Sequence, residues 1–558
     1  MCGIYGYIGK QDAFDKVIKG LSFLQYRGYD SCGVAYYQNN KFNTVKTVGT
    51  LDKLNRIEGN TNLVFGHTRW ATNGVVNVIN AHPHISNDGN YTIVHNGIIK
   101  NSEEIKQELV AKGYSFYSET DTEVIANYIS TIDINKDLND IFNKLDGTYS
   151  LIVGCKNKDI YLIKEFSPLH ILKAKDGIYI SSDISSLPNG ELYSLKDKDI
   201  IKISGNKIKE YNNKKIKFIP HKNTLKQMEL GEFQHYMLKE IKETPQALFN
   251  TYNSIKDFKI DEIFRGIENV TLIGCGTAYN SCLIGEHFFK TNLKLKTNTV
   301  LASNYELNEE IENNHIHIIV SQSGETADCI KVAELVKNFN GKLMVLTNEG
   351  SSTLATMADY LVLTNAKKEL AVASTKTYCC QVFIFAYFCQ KLLDYSYSLN
   401  INSLVAELET FMNKLNVSDL ANKLKSIDKL ILIGKNVDYL TLLEASLKIR
   451  EIDYVYTLPM FAGELKHGTL SLIEKGSVVL TLNSSNNTSL FSSTINEILS
   501  REGVVVEMEN LMPNLTQNEF FKPIFTVIPF QLLSYEIAVL NGRNPDMPRN
   551  LAKSVTVE

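Results

Sequence analysis

The second half of the chain repeats one structural pattern, and this repeat limits the possible folds more than any other feature. From Val270 onward an apolar strand, a glycine turn and a long helix follow one another several times. This order is typical of a doubly wound parallel sheet. Residues 270–274 resemble residues 430–434 at an offset of 160 residues. The sequence therefore predicts two α/β subdomains, one over residues 256–398 and one over residues 399–558 with a C-terminal tail.

The first half of the chain has a different pattern. Short segments such as 62–66 and 149–153 read as strands, and helical patterns cover residues 102–112 and 122–131. These features predict an α+β unit with antiparallel sheets over residues 2–218. Periodicity is lost at residues 221–226, so residues 219–255 are predicted to form a linker and a connecting helix.

Composition excludes several classes of partner. The 558 residues carry 58 Lys and Arg against 62 Asp and Glu, a net charge of −4, so we expect no nucleic-acid partner. The strongest apolar run, residues 382–389, is far shorter than the roughly 20 residues of a membrane span, and we expect no membrane association. Nine cysteines without CxxC spacing, and no signal-peptide pattern, indicate a reduced cytoplasmic protein without a metal site.

The cysteine at position two is a candidate nucleophile. Removal of Met1 would leave Cys2 with a free α-amine beside its thiol. The ordinary pKa of such an amine is about 7.7–8.0 and that of a thiol about 8.5, so base and nucleophile share one residue. A cysteine at this position also occurs without any catalytic role.

Five motifs accompany Cys2 in a fixed order. They are YRGYDS at 26–31, HTRWAT at 67–72, AHPH at 81–84, VHNG at 94–97 and SETDT at 118–122. Together they resemble the class II glutamine amidotransferases over residues 2–218. The resemblance implies an N-terminal-nucleophile domain with an αββα arrangement, in which Cys2 attacks the side-chain amide of glutamine.

The resemblance also assigns roles around Cys2. The Asn96 side chain and the Gly97 N–H would stabilise the oxyanion, although the local Asn-Gly sequence alone favours a hairpin turn. Arg69 with Thr72 would bind the α-carboxylate of glutamine and Asp121 its α-ammonium, the alternative being a surface ion pair.

Two further positions of this domain stand out. Trp70, the only tryptophan, would gate an ammonia channel, or else is a core aromatic residue. Asn73 departs from the family, which commonly has histidine there, so glutamine affinity is expected to be lower.

A hydroxyl-rich loop in the second half is a candidate phosphate site. The segment SQSGET at 321–326 follows a predicted strand and precedes a helix that begins near Ala327, although it could serve only as a helix cap. With turns at 274–278 and 371–376 it resembles the sugar-isomerase domain. The residues that the resemblance assigns to the sugar phosphate are Thr277, Ser321, Gln322, Ser323, Thr326 and Ala373.

Acid–base groups are predicted in the second repeat. Lys448 and Glu451 are three residues apart on a predicted helix and share a face, as solvated ion pairs also do. His467, between glycine-bounded turns, could open a cyclic sugar, and Lys553 in the tail could form a Schiff base with a ketose. A loop histidine without function and a mobile terminus are the alternatives.

Taken together, the chain is similar to the isomerising glutamine aminotransferases of amino-sugar synthesis. This resemblance implies glutamine and fructose-6-phosphate as substrates, an internal ammonia channel, no metal or organic cofactor, and a homodimer in which the partner subunit donates the histidine. Ala278 stands where many relatives have serine, so one hydroxyl near the phosphate is missing. Tyr456 and Thr469 in the second repeat also depart from the family, so a paralogue acting on another ketose phosphate is an alternative. A non-catalytic sugar-phosphate sensor is a third possibility.

Overall fold

A computed structural model describes residues 2–10, 13–212, 215–222, 229–306, 311–394, 396–485 and 488–555. The chain divides into two compact units, one of Met1–Glu229 with Ala552–Val557 and one of Leu230–Leu551. Residues 223–228 of the predicted linker lie outside the described residues. The boundaries predicted at 218, 255 and 398 stay predictions.

The first unit contains two antiparallel sheets. Its strands are β1 (Gly3–Gly9), β2 (Ser31–Gln38), β3 (Lys41–Val48), β4 (Leu63–Arg69), β5 (His84–Ile85), β6 (Tyr91–Ile99), β7 (Gly147–Cys155), β8 (Ile160–Glu165), β9 (His170–Lys173), β10 (Gly177–Ser181), β11 (Gly190–Ser194), β12 (Ile200–Ser204), β13 (Lys207–Glu210) and β14 (Ile219–His221). Its helices are α1 (Ala13–Ser22), α2 (Ser102–Ala111), α3 (Asp121–Ile129) and α4 (Ile141–Lys144). The eight-stranded sheet has the order β14-β11-β9-β10-β1-β4-β2-β3, and the six-stranded sheet the order β13-β12-β8-β7-β6-β5.

Strand β1 explains how the layers are held together. Side chains alternate between the faces of a strand. Ile4 and Ile8 pack into a core shared with the six-stranded sheet, whereas Tyr5 and Tyr7 pack against α1 on the opposite face. Helices α2 and α3 cover the outer face of the six-stranded sheet. The layers are therefore helix, sheet, sheet, helix, which confirms the predicted αββα arrangement.

The second unit contains two parallel sheets. Its strands are β15 (Asn269–Gly274), β16 (Lys296–Leu301), β17 (His315–Ser321), β18 (Lys342–Thr347), β19 (Tyr360–Leu363), β20 (Lys429–Gly434), β21 (Tyr456–Phe461), β22 (Val478–Leu482) and β23 (Val504–Glu507). Its helices are α5 (Tyr236–Lys242), α6 (Thr244–Ile255), α7 (Ile260–Phe264), α8 (Thr277–Phe288), α9 (Ala327–Asn338), α10 (Thr353–Met357), α11 (Lys376–Leu393), α12 (Ile401–Lys414), α13 (Ser418–Leu424), α14 (Val437–Lys448), α15 (Thr488–Leu499) and α16 (Lys522–Leu540). The sheets have the orders β16-β15-β17-β18-β19 and β21-β20-β22-β23. The two predicted doubly wound subdomains are confirmed.

The core of the second unit is built from long apolar helices. Helices α8, α11, α14 and α16 pack into one cluster of buried side chains. The apolar run 382–389 lies within α11 and is fully buried, as expected. Among the described residues, α16 is long and apolar enough to cross a membrane by length and composition, yet 83% of its most apolar window is buried inside the protein. It is packed as a core helix.

The predicted repeat extends to details of the backbone. Gly276 before α8 and Asn436 before α14 have nearly the same unusual backbone angles, φ 54°, ψ −127° and φ 50°, ψ −128°. Each helix continues into one π-helical turn, Phe289–Leu293 and Ile449–Asp453, and then into a left-handed residue. The two strand–turn–helix units are thus copies of one geometry.

Candidate active sites

Cys2 lies at the start of β1, a strand inside the eight-stranded sheet. The Trp70 N–H donates to Sγ of Cys2 over 3.3 Å, and Sγ lies 3.5 Å from the Trp70 carbonyl oxygen. Burial raises the pKa of the Cys2 thiol, whereas the Trp70 N–H and the Arg69 guanidinium oppose that rise. A Cβ on Gly3 would come within 2.6 Å of the Thr68 hydroxyl, so glycine is needed for this close approach. Cys2 therefore sits in a tightly built site.

Asn96 and Gly97 lie in the middle of β6, opposite Ser150 and Tyr149 of β7. The hairpin-turn alternative is therefore wrong. The Asn96 amide donates to the Cys2 carbonyl oxygen over 2.9 Å. Gly97 has φ 133°, and a Cβ there would lie 1.8 Å from a neighbouring carbonyl oxygen, so only glycine fits. The structure brings Asn96 to the candidate nucleophile.

Arg69 and Asp121 are both buried, at 3% and 8% exposure, so the surface ion-pair alternative is wrong. Arg69 Nη2 donates to the carbonyl oxygens of Asn73 and Gly74. Its Nη1 is buried and has no hydrogen-bond partner among the described residues. Burial lowers the pKa of Arg69. A buried guanidinium with an unused donor is suited to a carboxylate ligand.

Asp121 begins helix α3 and is held by the backbone. Its Oδ2 accepts from the Ile99 N–H over 3.0 Å, and its Oδ1 lies 3.8 Å from Nδ1 of His95. Thr72 is exposed in the loop after β4, and Trp70 is only partly buried, which disfavours the core-aromatic alternative for Trp70.

A cluster of buried histidines supports this site and had no assigned role in the sequence analysis. The Thr122 hydroxyl lies 3.1 Å from a ring nitrogen of both His95 and His82, and His82 stacks on His67 at 4.1 Å. Burial lowers the pKa of His67, His82, His84 and His95. These neutral rings hold the start of α3 against β4 and β6. The histidines in the motifs AHPH and VHNG were the sequence signal for this cluster.

The loop 321–326 connects β17 to α9, as predicted. The Ser321 hydroxyl hydrogen-bonds the Thr326 hydroxyl over 2.9 Å and accepts from the Gly324 N–H over 3.1 Å. The Glu325 N–H donates to the Ser323 hydroxyl, and the Gln322 carbonyl oxygen accepts from the Asn348 N–H. Gly324 has φ 65°, and a Cβ there would lie 2.0 Å from the Ser352 hydroxyl. Hydroxyl and N–H groups therefore line the start of a 12-residue helix.

Lys448 is completely buried at the end of α14, which excludes the solvated ion pair. Its Nζ lies 2.7 Å from Glu451 and 3.3 Å from Glu444. Burial alone would lower the pKa of Lys448, but the two carboxylates more than offset it and raise that pKa. The π-helical turn after Lys448 carries Glu451, whose side chain is 22% exposed. The Glu451 carboxylate thus contacts the buried Lys448 ammonium and is itself partly exposed to solvent.

Glu444 is a site residue that the sequence analysis missed. Its carboxylate accepts from the Thr277 hydroxyl over 3.0 Å and from the Asn280 amide over 2.7 Å, and Lys448 donates to the Thr277 hydroxyl over 3.1 Å. Burial raises the pKa of Glu444. Thr277 therefore joins the start of α8 to the acid–base cluster on α14. The only sequence signal was the four-residue spacing between Glu444 and Lys448.

The remaining three predicted residues lie on other segments of the chain. Ala373 is buried in the segment before α11, where Glu369 accepts from the Thr375 N–H. His467 is exposed at the end of a short 3₁₀ helix, and among the described residues no hydrogen bond or ion pair joins it to Glu451. Lys553 is partly buried in the tail after Leu551.

Two protein families match this chain, one in each of its two compact units. A glutamine amidotransferase domain family matches residues 67–189, and the SIS domain family matches residues 263–389. Over its whole length the chain is similar to glutamine–fructose-6-phosphate aminotransferase (isomerizing) from Clostridium acetobutylicum, at 34% identity over 100% of both chains. It is 36% identical to the protein of the same name from Pyrococcus horikoshii, again over 100% of both.

A solved structure is similar to the second half. The C-terminal domain of glucosamine-fructose-6-phosphate aminotransferase from Francisella tularensis aligns with 57% of this chain and 100% of its own, with 26% identity and a TM-score of 0.51.

Proposed function

We propose that this chain, which belongs to the glutamine–fructose-6-phosphate aminotransferase (isomerising) family, converts glutamine and fructose-6-phosphate into glutamate and glucosamine-6-phosphate. Full-length similarity to relatives of that name supports the activity. The observation that carries the proposal is the buried cluster of Glu444, Lys448 and Glu451 beside Thr277. A non-catalytic sensor has no need for a buried ammonium that presents a carboxylate to solvent.

The first half-reaction is assigned to the residues around Cys2. Its thiolate adds to the amide carbon of glutamine, ammonia leaves, and water opens the resulting thioester to glutamate. Asn96 and the Gly97 N–H stabilise the oxyanion, a contribution of about 2.7–4 kcal/mol per donor in comparable sites. Arg69, with Thr72, holds the α-carboxylate. The unused Nη1 of Arg69 supports that role.

The remaining glutamine contact and the gate are assigned separately. Asp121 holds the α-ammonium group through its buried carboxylate. Trp70, whose backbone contacts Cys2, gates the path of ammonia. Ammonia released into neutral water becomes ammonium, which is not a nucleophile, so direct transfer preserves its reactivity.

The second half-reaction is assigned to the sugar-phosphate residues. Ser321, Gln322, Ser323 and Thr326 hold the phosphate at the start of α9, with Thr277 and Ala373 completing the pocket. His467 opens the cyclic ketose by proton transfer, and Lys553 forms a Schiff base with its carbonyl group.

Ammonia then replaces Lys553 at the sugar carbon, and isomerisation follows. Glu451 moves a proton from C1 to C2, so that the imine becomes an aldose with an amine at C2. The Lys448 ammonium, 2.7 Å from the Glu451 carboxylate, positions that carboxylate for this step.

An assay with purified protein tests the proposal. Glutamine and fructose-6-phosphate should give glucosamine-6-phosphate, and Cys2→Ala should abolish the use of glutamine while sugar isomerisation remains. Product from another ketose phosphate alone would favour the paralogue. Absence of any amino sugar would refute the proposal. Intact mass should also show loss of Met1, because retention would leave Cys2 without a free amine.

We further propose that the protein is a cytoplasmic homodimer in which His467 acts in the partner subunit's site. The exposed position of His467, without a described bond to Glu451, supports this. Mixing His467→Ala with Glu451→Gln protein should then restore about a quarter of wild-type activity, since half of the dimers would be mixed and each would hold one intact site. No recovery in a mixture shown to exchange subunits would contradict the shared site.

A further inference from the structure

The π-helical turn that carries Glu451 is followed by a tyrosine. Tyr454 comes directly after the turn Ile449–Asp453 and has a left-handed backbone, with φ 56°. Lys294, the corresponding residue of the first repeat, also has φ 56° after its own π-helical turn. A left-handed residue with a side chain is uncommon. The shared backbone accounts for this conformation in both repeats, but it does not explain why the second repeat has an aromatic side chain there.

The segment that follows α16 is attached to this tyrosine. The Arg549 N–H donates to Oη of Tyr454 over 2.9 Å, and the Arg549 guanidinium carbon lies 4.1 Å from the centre of the Tyr454 ring. The guanidinium carbon of Arg543 lies 5.0 Å from the same ring centre, and its Nη1 donates to the Asp453 carbonyl oxygen. A cation placed over an aromatic ring is attracted to it. Two arginines therefore hold the segment on Tyr454.

A further contact lies midway in sequence between the two arginines. The Asp546 carboxylate accepts from the N–H groups of the first two residues of α5, over 2.8 and 2.7 Å. The Asp546 carbonyl oxygen accepts from the Val372 N–H over 3.0 Å. Val372 directly precedes Ala373, which the proposed function places in the sugar-phosphate pocket. The segment thus contacts the turn before α11 in the first repeat as well as Tyr454 in the second.

These contacts limit how far Lys553 can move. Lys553 follows Arg549 by four residues and Asp546 by seven. Because a chain spans at most about 3.6 Å per residue, the Arg549 anchor keeps the Cα of Lys553 within about 14 Å, and the Asp546 anchor within about 25 Å. The effective concentration of a tethered group falls with the 3/2 power of tether length or more steeply. Loss of the Tyr454 contacts should therefore lower the effective concentration of the Lys553 amine about two- to sixfold.

We propose that Tyr454 is a positioning residue for the sugar half-reaction, which fixes the chain before Lys553 to the turn that carries Glu451. The inference rests on the proposed function, in which Lys553 forms a Schiff base with the ketose and Glu451 moves the proton. Both groups act at C2 of the same sugar, so an attachment between their two segments favours the reactive arrangement. Tyr454 acts through Lys553 and takes no part in bond making.

The experiment measures the Schiff base of Lys553 in the full-length protein. With saturating fructose-6-phosphate and no glutamine, the Lys553 amine adds to the ketose carbonyl, water leaves, and cyanoborohydride reduces the C=N bond to a stable amine. Peptide mass mapping then gives the rate of labelling at Lys553. Tyr454→Ala should be labelled about two- to sixfold more slowly than wild type. Tyr454→Phe, which keeps the ring and loses Oη, should give an intermediate rate.

Three measurements separate positioning from damage to the fold. Lys294→Ala makes the matching change at the left-handed position of the first repeat and should be labelled at the wild-type rate. Glucitol-6-phosphate has no carbonyl group, so its affinity reports on the sugar-phosphate pocket without the Schiff base. Calorimetry should show the same affinity in wild type and Tyr454→Ala. Hydrogen exchange of the peptide that contains Arg549 should be faster in both Tyr454 variants, because the Arg549 N–H loses its acceptor.

Each failure has a separate meaning. Equal labelling of wild type and Tyr454→Ala, or unchanged hydrogen exchange at Arg549, would overturn the positioning role. Equal losses of labelling and of glucitol-6-phosphate affinity would also overturn it, because Tyr454 would then only support the fold. Wild-type protein that is never labelled at Lys553 would contradict the proposed function, while faster exchange at Arg549 in the variants would still confirm the attachment to Tyr454.

Discussion

The two sugar-isomerase repeats share one backbone and differ in chemistry. At an offset of 160 residues, both have the same turn before the helix and the same π-helical turn after it. In the first repeat that π-helical turn holds Thr291, and in the second it holds Glu451 at the corresponding position. Phe288 likewise corresponds to Lys448. The backbone thus sets the positions, and under the proposed function a few side chains decide whether the repeat handles protons.

The loop after β17 in the first repeat and the loop after β22 in the second repeat also differ. In the first repeat the hydroxyls of Ser321 and Thr326 bond each other at the start of α9. In the second repeat the Ser484 N–H and hydroxyl donate to the Asp438 carboxylate over 2.8 and 2.6 Å. That loop is already satisfied by an anion of the protein itself. We therefore expect one phosphate site per chain, in the first repeat, and one acid–base cluster, in the second.

The largest effect is expected from Glu451→Gln. Loss of a positioned proton-transfer group costs about 10²–10⁴-fold in rate, so formation of glucosamine-6-phosphate should fall by that factor. Glutamine hydrolysis and fructose-6-phosphate binding should stay within about threefold. Thr291→Ala, at the corresponding position of the first repeat, is the matched control and should leave all three unchanged. An active Glu451→Gln protein would show that the repeats do not divide the chemistry in this way.

Asp438→Asn tests whether the second loop holds a buried carboxylate. Burial raises the pKa of Asp438 to about 6, with Ser484 and Lys522 opposing the rise. The folded state therefore binds a proton that the unfolded state has released, and stability falls as pH rises from about 4 to about 6, then levels off. A rise of two pKa units corresponds to about 3 kcal/mol.

The measurement is urea unfolding of both proteins between pH 4.5 and 7.5. The difference between wild type and Asp438→Asn cancels the other titrating groups. The variant should gain stability relative to wild type as pH approaches 6. Parallel pH profiles for the two proteins would contradict a buried carboxylate at this loop.

Ser321→Ala and Ser484→Ala compare the two loops directly. Removing a hydrogen bond to a charged group costs about 1.5–3 kcal/mol, so Ser321→Ala should raise the KM for fructose-6-phosphate by about 10–150-fold. Ser484→Ala should leave that KM unchanged, because Ser484 contacts Asp438. Steady-state kinetics at saturating glutamine measures the KM for fructose-6-phosphate in both variants. An equal rise in both variants would mean that both loops serve the sugar.

Asn436→Gly should give the smallest effect, a gain of about 1 kcal/mol in stability. Asn436 has φ 50° and ψ −128°, a strained conformation for a residue with a side chain, and Gly276 holds the corresponding position in the first repeat. Relief of strain outweighs the extra chain entropy of glycine. Thermal unfolding checks this, with Gly276→Asn expected to lose a similar amount. A loss of stability in Asn436→Gly would mean that the Asn436 side chain stabilises the fold by more than its strained backbone destabilises it.

The sequence predicted the folds of both units, for identifiable reasons, and the site residues that it names stay predictions. Period-two and strand–turn–helix patterns are local, and the 160-residue offset is visible in residues 270–274 and 430–434. The contacts of Glu444 with Thr277 and Asn280 join helices that are far apart in sequence, so no local pattern contained them. The Asn96-Gly97 pair shows that a local sequence pattern can also predict the wrong structure. Its local preference is a hairpin turn, and the tertiary structure places it within a strand.

Transfer of the glutamine nitrogen tests the central claim most directly. Purified protein would be given fructose-6-phosphate and glutamine labelled with ¹⁵N in the side-chain amide, in the presence of excess unlabelled ammonium. Our account predicts glucosamine-6-phosphate that carries ¹⁵N, formed in equal amount to glutamate. Unlabelled amino sugar, or glutamate without amino sugar, would contradict it.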